Sequence, residues 1–200
     1  MKKELFIVSI FIFIMNSILV ITNCYQPIDE IICNLVGSIQ TGWLTDIFKV
    51  ITVLGNTKTI IAVNALIIVI TLFTRRFKLF VLPIASICSG AFNTALKYLF
   101  SRPRPVGIEL IAQGGFSYPS GHSAISALFY GALVYLLMKS NFKYKKLLMI
   151  LPIILMILIP LSRIYLGVHY LSDIIGGFSL GFSILSLILI IFDKVTTKER

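Results

Sequence analysis

The sequence predicts an all-α, polytopic membrane protein with six transmembrane helices and one or two helices lying in the outer interface. Three observations predict it. The chain of 200 residues is 58% hydrophobic and only 13% charged, a balance foreign to soluble domains. Six apolar runs, at about 5–22, 57–74, 79–98, 119–138, 147–163 and 173–192, each come close to the roughly 20 residues that span a bilayer. The basic residues are also sorted by side. With the N-terminus inside, inside segments hold Lys2, Lys3, Arg75, Arg76, Lys78, Lys139, Lys143, Lys145, Lys146, Lys194, Lys198 and Arg200, twelve of the eighteen Lys and Arg.

The runs consume most of the chain, so residues 1–200 are expected to form one membrane domain with short connections. Both termini are expected in the cytoplasm, with segments 98–118 and 164–172 on the outer face of the cell membrane. The net charge of +10 then reads as topology signals, which argues against nucleic acid as a partner. No obligate protein partner is indicated.

The first run starts with Lys2 and Lys3, as a secretory signal would. It continues for about eighteen residues without a small-x-small cleavage site, so it is read as a span. From Pro27 to Gly55 the pattern changes. Ile28, Ile31, Ile32, Leu35, Val36 and Ile39 recur at helical spacing, with Asp29 and Glu30 in the first turn, where the helix dipole favours acids. Trp43, Leu44, Ile47, Phe48 and Ile51 form a second set after Thr41-Gly42. Two interfacial helices over about 27–54 follow, with the single Trp at headgroup level. They could be a lipid-facing rim around a site or plain surface filling, and both readings stand.

The second and third runs are joined by Arg75-Arg76-Phe77-Lys78 and form an antiparallel pair. Lys97 closes the third. Segment 98–118 cannot continue a helix, because it carries two Arg-Pro dipeptides and Gly114-Gly115. It runs into Pro119-Ser120-Gly121-His122, where proline in a first helical turn predicts a helix start with bare N–H groups, a seat for an anion. In the last run Gly176, Gly177 and Gly181 make a small-xxx-small face for close helix packing. The cysteines, Cys24, Cys33 and Cys88, match no zinc or redox spacing. A disulfide between Cys24 and Cys33 is possible on the outer side, but free thiols are the favoured reading.

Between the last two runs, LSRIYLGVHYLSDIIGG packs Ser162, Arg163, His169 and Asp173 close to membrane depth. Charged groups cost roughly 2.5–3.5 kcal/mol each at a helix centre, so such residues are functional candidates. His169 and Asp173 are four apart, one helical face. The carboxylate can take one imidazole N–H and leave the other ring nitrogen as base or nucleophile. By the topology above, Lys97 with Arg104-Pro105, Pro119 to His122, and Ser162 to Asp173 all fall on one side of the membrane. Cations to hold oxygens, a helix N-terminus, two histidines and a carboxylate are what phosphate monoester hydrolysis requires.

These residues resemble the signature of the type 2 phosphatidic acid phosphatase family, related to vanadium haloperoxidases. That signature is K-x6-RP, then PSGH, then SR-x5-H-x3-D. Lys97 and Arg104-Pro105, Pro119 to His122, Ser162-Arg163, His169 and Asp173 match every fixed position in order. The resemblance implies a six-helix core and a catalytic set of His169, His122 and Asp173. His169 would be the nucleophile, forming a phosphohistidine, with Asp173 fixing its tautomer. His122 would protonate the leaving oxygen and then serve as base for water. Lys97, Arg104, Ser120, the backbone N–H of Gly121 and Arg163 would bind the phosphoryl oxygens. Arg102, off the fixed spacing, is expected as an auxiliary phosphate or headgroup contact. No cofactor and no metal is implied, because three cations do the neutralising that Mg²⁺ does elsewhere. Small members of the family act on phosphatidylglycerophosphate, phosphatidic acid or undecaprenyl diphosphate, so a membrane lipid phosphate is the expected substrate. A channel or transporter would place charges through the spans, which are nearly free of them. A lipid-head transferase would share the His-Asp pair but lack the Lys and Arg-Pro set, and an inactive relative would show a broken motif.

Overall fold

Spans rich in Ile, Leu and Phe fold as helices whether or not the chain covers them, because a bilayer leaves each backbone polar group only its own helix for a partner. The computed structural model describes residues 2–75 and 77–198, and the side chains of all of these except 77, 78 and 193–198. Its elements are α1 (Lys2–Ile21), α2 (Gln26–Ile39), α3 (Gly42–Val53), α4 (Thr57–Thr74), a 3₁₀ turn (Phe77–Phe80), α5 (Val81–Phe100), α6 (Gly121–Ile125), a π-helical turn (Ser126–Tyr130), α7 (Gly131–Lys139), α8 (Lys145–Tyr165) and α9 (Leu171–Lys198). No strand occurs among the described residues. Helix α6, the π turn and α7 run on as one rod. Of the basic residues read as inside signals, Arg76 and Arg200 lie outside the described residues, and Lys78, Lys194 and Lys198 outside the described side chains.

Five segments are long and apolar enough to cross a membrane: Lys2–Ile21, Thr57–Thr74, Gly121–Lys139, Lys145–Tyr165 and Leu171–Phe192. The sixth expected span, 79–98, is the 20-residue α5, which is not among them. Its length suffices, but Ser86, Ser89, Asn93 and Lys97 dilute its apolarity, and all four line a cavity.

Helix α9 is the axis of the bundle, packed against α1, α5, α6 and the π turn. A Cβ at Gly177 would run into the Ser120 carbonyl, and one at Gly181 into that of Ala124. These glycines let α6 lie directly on α9. Ile60, Leu82, Ala85, Leu128, Phe129, Ile159, Leu185 and Leu189 form the main buried cluster.

The two outer helices expose most of their apolar stripe. Ile28, Ile31, Leu35 and Ile39 of α2 and Trp43, Ile47 and Val50 of α3 are exposed. Facing in are Asp29 and Val36 of α2, and Thr45 and Thr52 of α3. The apolar stripe thus splits, most of it looking toward lipid while polar side chains enter the bundle. Gln40, just after α2, donates to the Ile108 and Tyr165 carbonyls. Ser117 N–H donates to the Arg102 carbonyl and Leu110 N–H to that of Leu166. Loop 101–120 is therefore closed on itself and tied to the α8–α9 connection, which brings the polar ends of α2, α3, α5, α6, α8 and α9 together. Cys24, Cys33 and Cys88 are free thiols.

Candidate active site

The α8–α9 connection carries His169, with Asp173 one turn into the next helix. His169 thus precedes the helix that holds its partner, a difference from the expected shared helical face. The carboxylate reaches back: Asp173 Oδ2 accepts the Tyr170 N–H at 2.9 Å and pairs with His169 Nδ1 at 3.2 Å. Arg104 Nη1 lies 3.1 Å from His169 Nε2. A guanidinium has no acceptor, so Nε2 supplies the lone pair and Nδ1 carries the proton. Burial pushes the His169 imidazole down to about 4, with the charges of Arg104 and Lys97 adding to it and Asp173 opposing. The ring is neutral at physiological pH, with Nε2 as its nucleophilic end.

Asp173 is fully buried and its other oxygen is taken as well. Oδ1 accepts from Arg102 Nη1 at 2.7 Å. The other end of that guanidinium, Nη2, donates to Asp29 Oδ2 at 2.7 Å, and the Arg102 group lies over the Tyr170 ring at 4.3 Å. Asp29 in turn accepts the Ser172 N–H at 3.1 Å, capping the first turn of α9 from another helix. The expectation for Arg102 is a phosphate or headgroup contact; the structure commits it to two carboxylates instead. Burial works to lower its pKa, but Asp173 and Asp29 outweigh burial and hold it above the usual value.

Five of the expected residues line one cavity of about 610 Å³: Lys97, Arg104, Gly121, His122 and His169. Lys97 Nζ donates to the carbonyls of Phe116 and Ser117, at 2.6 and 3.0 Å. Arg104 donates to the carbonyls of Gly115, Phe116 and Val168. Both cations thus rest on backbone carbonyls of the loop, with Phe116 shared. His122 Nε2 lies 2.8 Å from Asn56 Oδ1, an acceptor at the start of α4, so that nitrogen carries a proton. Helix α6 starts at Gly121 with Ser120 as its N-cap, leaving Pro119 just outside where a first-turn proline was expected.

Ser120, Arg163 and Asp173 stand one layer behind. The Ser120 hydroxyl accepts from Ser123 Oγ at 3.0 Å and Ser123 N–H at 3.4 Å. Arg163 donates to Thr52 Oγ1 at 2.8 Å and Gln113 Oε1 at 2.7 Å, while its buried Nε has no partner among the described residues. Asp29, Thr52, Asn56 and Gln113 were not singled out as site residues from the sequence. Asp29 shares the Ile32 and Val36 face of α2, and Thr52 stands one turn from Phe48 on α3; an acid or hydroxyl on an inward stripe was the available signal.

The profile of the PAP2 superfamily matches residues 78–197, more than half of the chain. The chain belongs to the PAP2 superfamily. The matched region holds every residue of the signature described above. Phosphatidylglycerophosphatase B of Bacillus subtilis is 32% identical over 186 residues, 90% of this chain and 92% of that protein. The crystal structure of the transmembrane PAP2-type phosphatidylglycerolphosphate phosphatase from Bacillus subtilis superposes with a TM-score of 0.88 at 29% identity, over 95% of this chain and 96% of that one. An undecaprenyl-diphosphatase of Sulfolobus acidocaldarius is 27% identical over 76% of this chain and 80% of that protein. Aquifex aeolicus LpxE shares the fold, with a TM-score of 0.62 at 23% identity over 79% and 92% of the two chains. As a PAP2 member the chain is a phosphoric ester hydrolase and a multi-pass membrane protein.

Proposed function

We propose that the chain is a lipid phosphatase that removes the terminal phosphate of phosphatidylglycerophosphate or a related lipid phosphate. One observation carries the reading. The cavity that holds His169, His122, Lys97 and Arg104 continues between α4 and α5, past Ile60, Ile61, Ile68 and Ile87. Ile61 and Ile87 are also 62% and 72% exposed on the outside of the bundle. A head can therefore sit among the cations while its tails stay in the bilayer. A water-soluble phosphate ester has no use for such a wall.

In this reading His169 Nε2 attacks phosphorus and the bond from phosphorus to the leaving oxygen breaks. His122 protonates that oxygen, and then takes a proton from the water that cleaves the phosphohistidine. Lys97, Arg104 and the Gly121 N–H bind the phosphoryl oxygens, and Arg163 adds its free Nε from behind, with Ser120 holding the helix start. The bonded set of Asp29, Arg102, Asp173 and neutral His169 sums to one negative charge. When the phosphorylated ring becomes cationic the set becomes neutral, so the charge that catalysis creates meets a carboxylate already in place. The reading needs neither cofactor nor metal.

Residues 1–200 act in it as one domain with six crossings, because α5 must return the chain from α4 to the loop that carries Arg104. Both termini then lie in the cytoplasm and the site on the outer face, as the basic residues indicate. Undecaprenyl diphosphate is the second candidate, favoured by the likeness to the undecaprenyl-diphosphatase.

Phosphate release by purified protein in detergent, with EDTA present and a His169→Ala control, tests this. EDTA-resistant release that vanishes in the variant supports it. Folded protein that releases nothing from phosphatidylglycerophosphate, phosphatidic acid or undecaprenyl diphosphate overturns it.

A further inference from the structure

The cleft between α4 and α5 is not uniformly apolar. Two turns of helix below the phosphate-binding end it carries a second set of polar groups. At 1.5 Å per residue, Asn64 lies about 12 Å along α4 from Asn56, and Ser89 about 12 Å along α5 from Lys97. Both line the cavity. Other polar side chains of the cleft are bonded within the protein: Ser86 Oγ to the Leu82 carbonyl, Thr94 Oγ1 to that of Gly90, and Asn93 Nδ2 to that of Pro119. Asn64 differs. It is 8% exposed, and its Oδ1 has no hydrogen-bond partner among the described residues. A buried amide oxygen at membrane depth without a partner is costly and calls for a ligand that supplies one.

We propose that Asn64, with Ser89 at a similar depth on α5, forms a subsite for the oxygen-bearing glycerol unit of a glycerophospholipid. This rests on reading the chain as a lipid phosphatase. The depth fits a lipid whose terminal phosphate is separated from its acyl esters by a further glycerol and a phosphodiester. The side-chain amide offers both donor and acceptor capacity, so it can serve the hydroxyl and ester oxygens of that unit. An isoprenoid diphosphate places only hydrocarbon at this level and leaves the amide unpaired. The subsite is therefore a selectivity element between two lipid chemistries that present the same terminal phosphate.

The test compares wild type with Asn64→Leu, and with Ser89→Ala as the milder variant, in mixed micelles. The first readout is the ratio of kcat/KM for phosphatidylglycerophosphate to that for undecaprenyl diphosphate. It is expected to fall about tenfold or more in Asn64→Leu, as for a binding group left unpaired. A structural role for Asn64 would depress both substrates alike, so an unmoved ratio overturns the proposal. The second readout is thermal stabilisation by phosphatidylglycerol against that by undecaprenyl phosphate. Wild type inactive on both substrates would sink the phosphatase reading alone. The subsite would still stand if phosphatidylglycerol stabilised wild type more than Asn64→Leu, and would fall if it stabilised both equally.

Discussion

The membrane window of α9 is 56% buried by the rest of the chain, whereas that of α4 is only 17% buried. On the α9 side, glycines bring backbones together, and Asp29, Arg102, Asp173 and His169 are bonded in one chain. On the α4–α5 side a Cβ built at Gly90 meets nothing within 4 Å, and Ile61, Leu66 and Ile87 look outward. The difference separates two tasks. The nucleophile needs a fixed tautomer and orientation, which only a closely packed, fully bonded surrounding provides. A lipid needs a wall that can be solvated by other lipids before and after it binds.

The largest effect belongs to the close-packed side. His169→Ala should reduce phosphate release to background, a loss of roughly 10⁴-fold or more. Restoration of release by the variant would place the nucleophile elsewhere. Arg102→Ala comes next. It leaves two carboxylates buried without their shared cation, and breaking such a set costs about 3–5 kcal/mol. A thermal melt in detergent checks this, and a melt unchanged from wild type would mean that Asp29 and Asp173 do not depend on Arg102.

Arg102 also marks where the sequence stopped being legible. Five of the six spans and the two helices over 26–53 could be read, because apolar run length and helical spacing are local patterns. Asp29 could not be joined to Arg102 and Ser172, since 143 residues separate Asp29 from Ser172 and only the packing of α2 against α9 closes the gap. For the same reason Asn56 was not seen as the partner of His122, nor Thr52 and Gln113 as those of Arg163. That Asp29, Thr45 and Thr52 face inward was hidden by a hydrophobic stripe that serves lipid as readily as a core. Even the polarity that makes α5 a weak span had a cause the sequence does not state, namely a cavity along one of its faces.

Glycine-to-alanine exchanges sharpen the comparison at smaller cost. Gly177→Ala forces a methyl into the Ser120 carbonyl and should destabilise by about 1–3 kcal/mol. Gly90→Ala, in the open cleft, should raise stability by about 0.5–1 kcal/mol through helix propensity. Equal effects of the two on the melting temperature would erase the distinction between the sides.

A pH profile reads the same contrast through a single group. An ordinary imidazole protonates near 6.5, whereas that of His169 is held near 4. The acid limb of kcat/KM that reports a neutral His169 is therefore expected near pH 4. Because the Arg104 charge contributes to the lowering, Arg104→Gln should move that limb upward. Between about pH 4 and 6.5 the unfolded chain binds this proton and the folded one does not. Stability should thus rise with pH across that window and level off above it. A limb that stays near 6.5 would mean that His169 is solvated.

Because the cavity opens past Ile61 and Ile87 to the outside of the bundle, the two products leave into different phases. Phosphate goes to water, and the dephosphorylated lipid goes back into the plane of the bilayer. The quantity that saturates such an enzyme is the mole fraction of substrate in the membrane. Diluting the lipid with an inert amphiphile at constant bulk concentration should then slow turnover as surely as removing it.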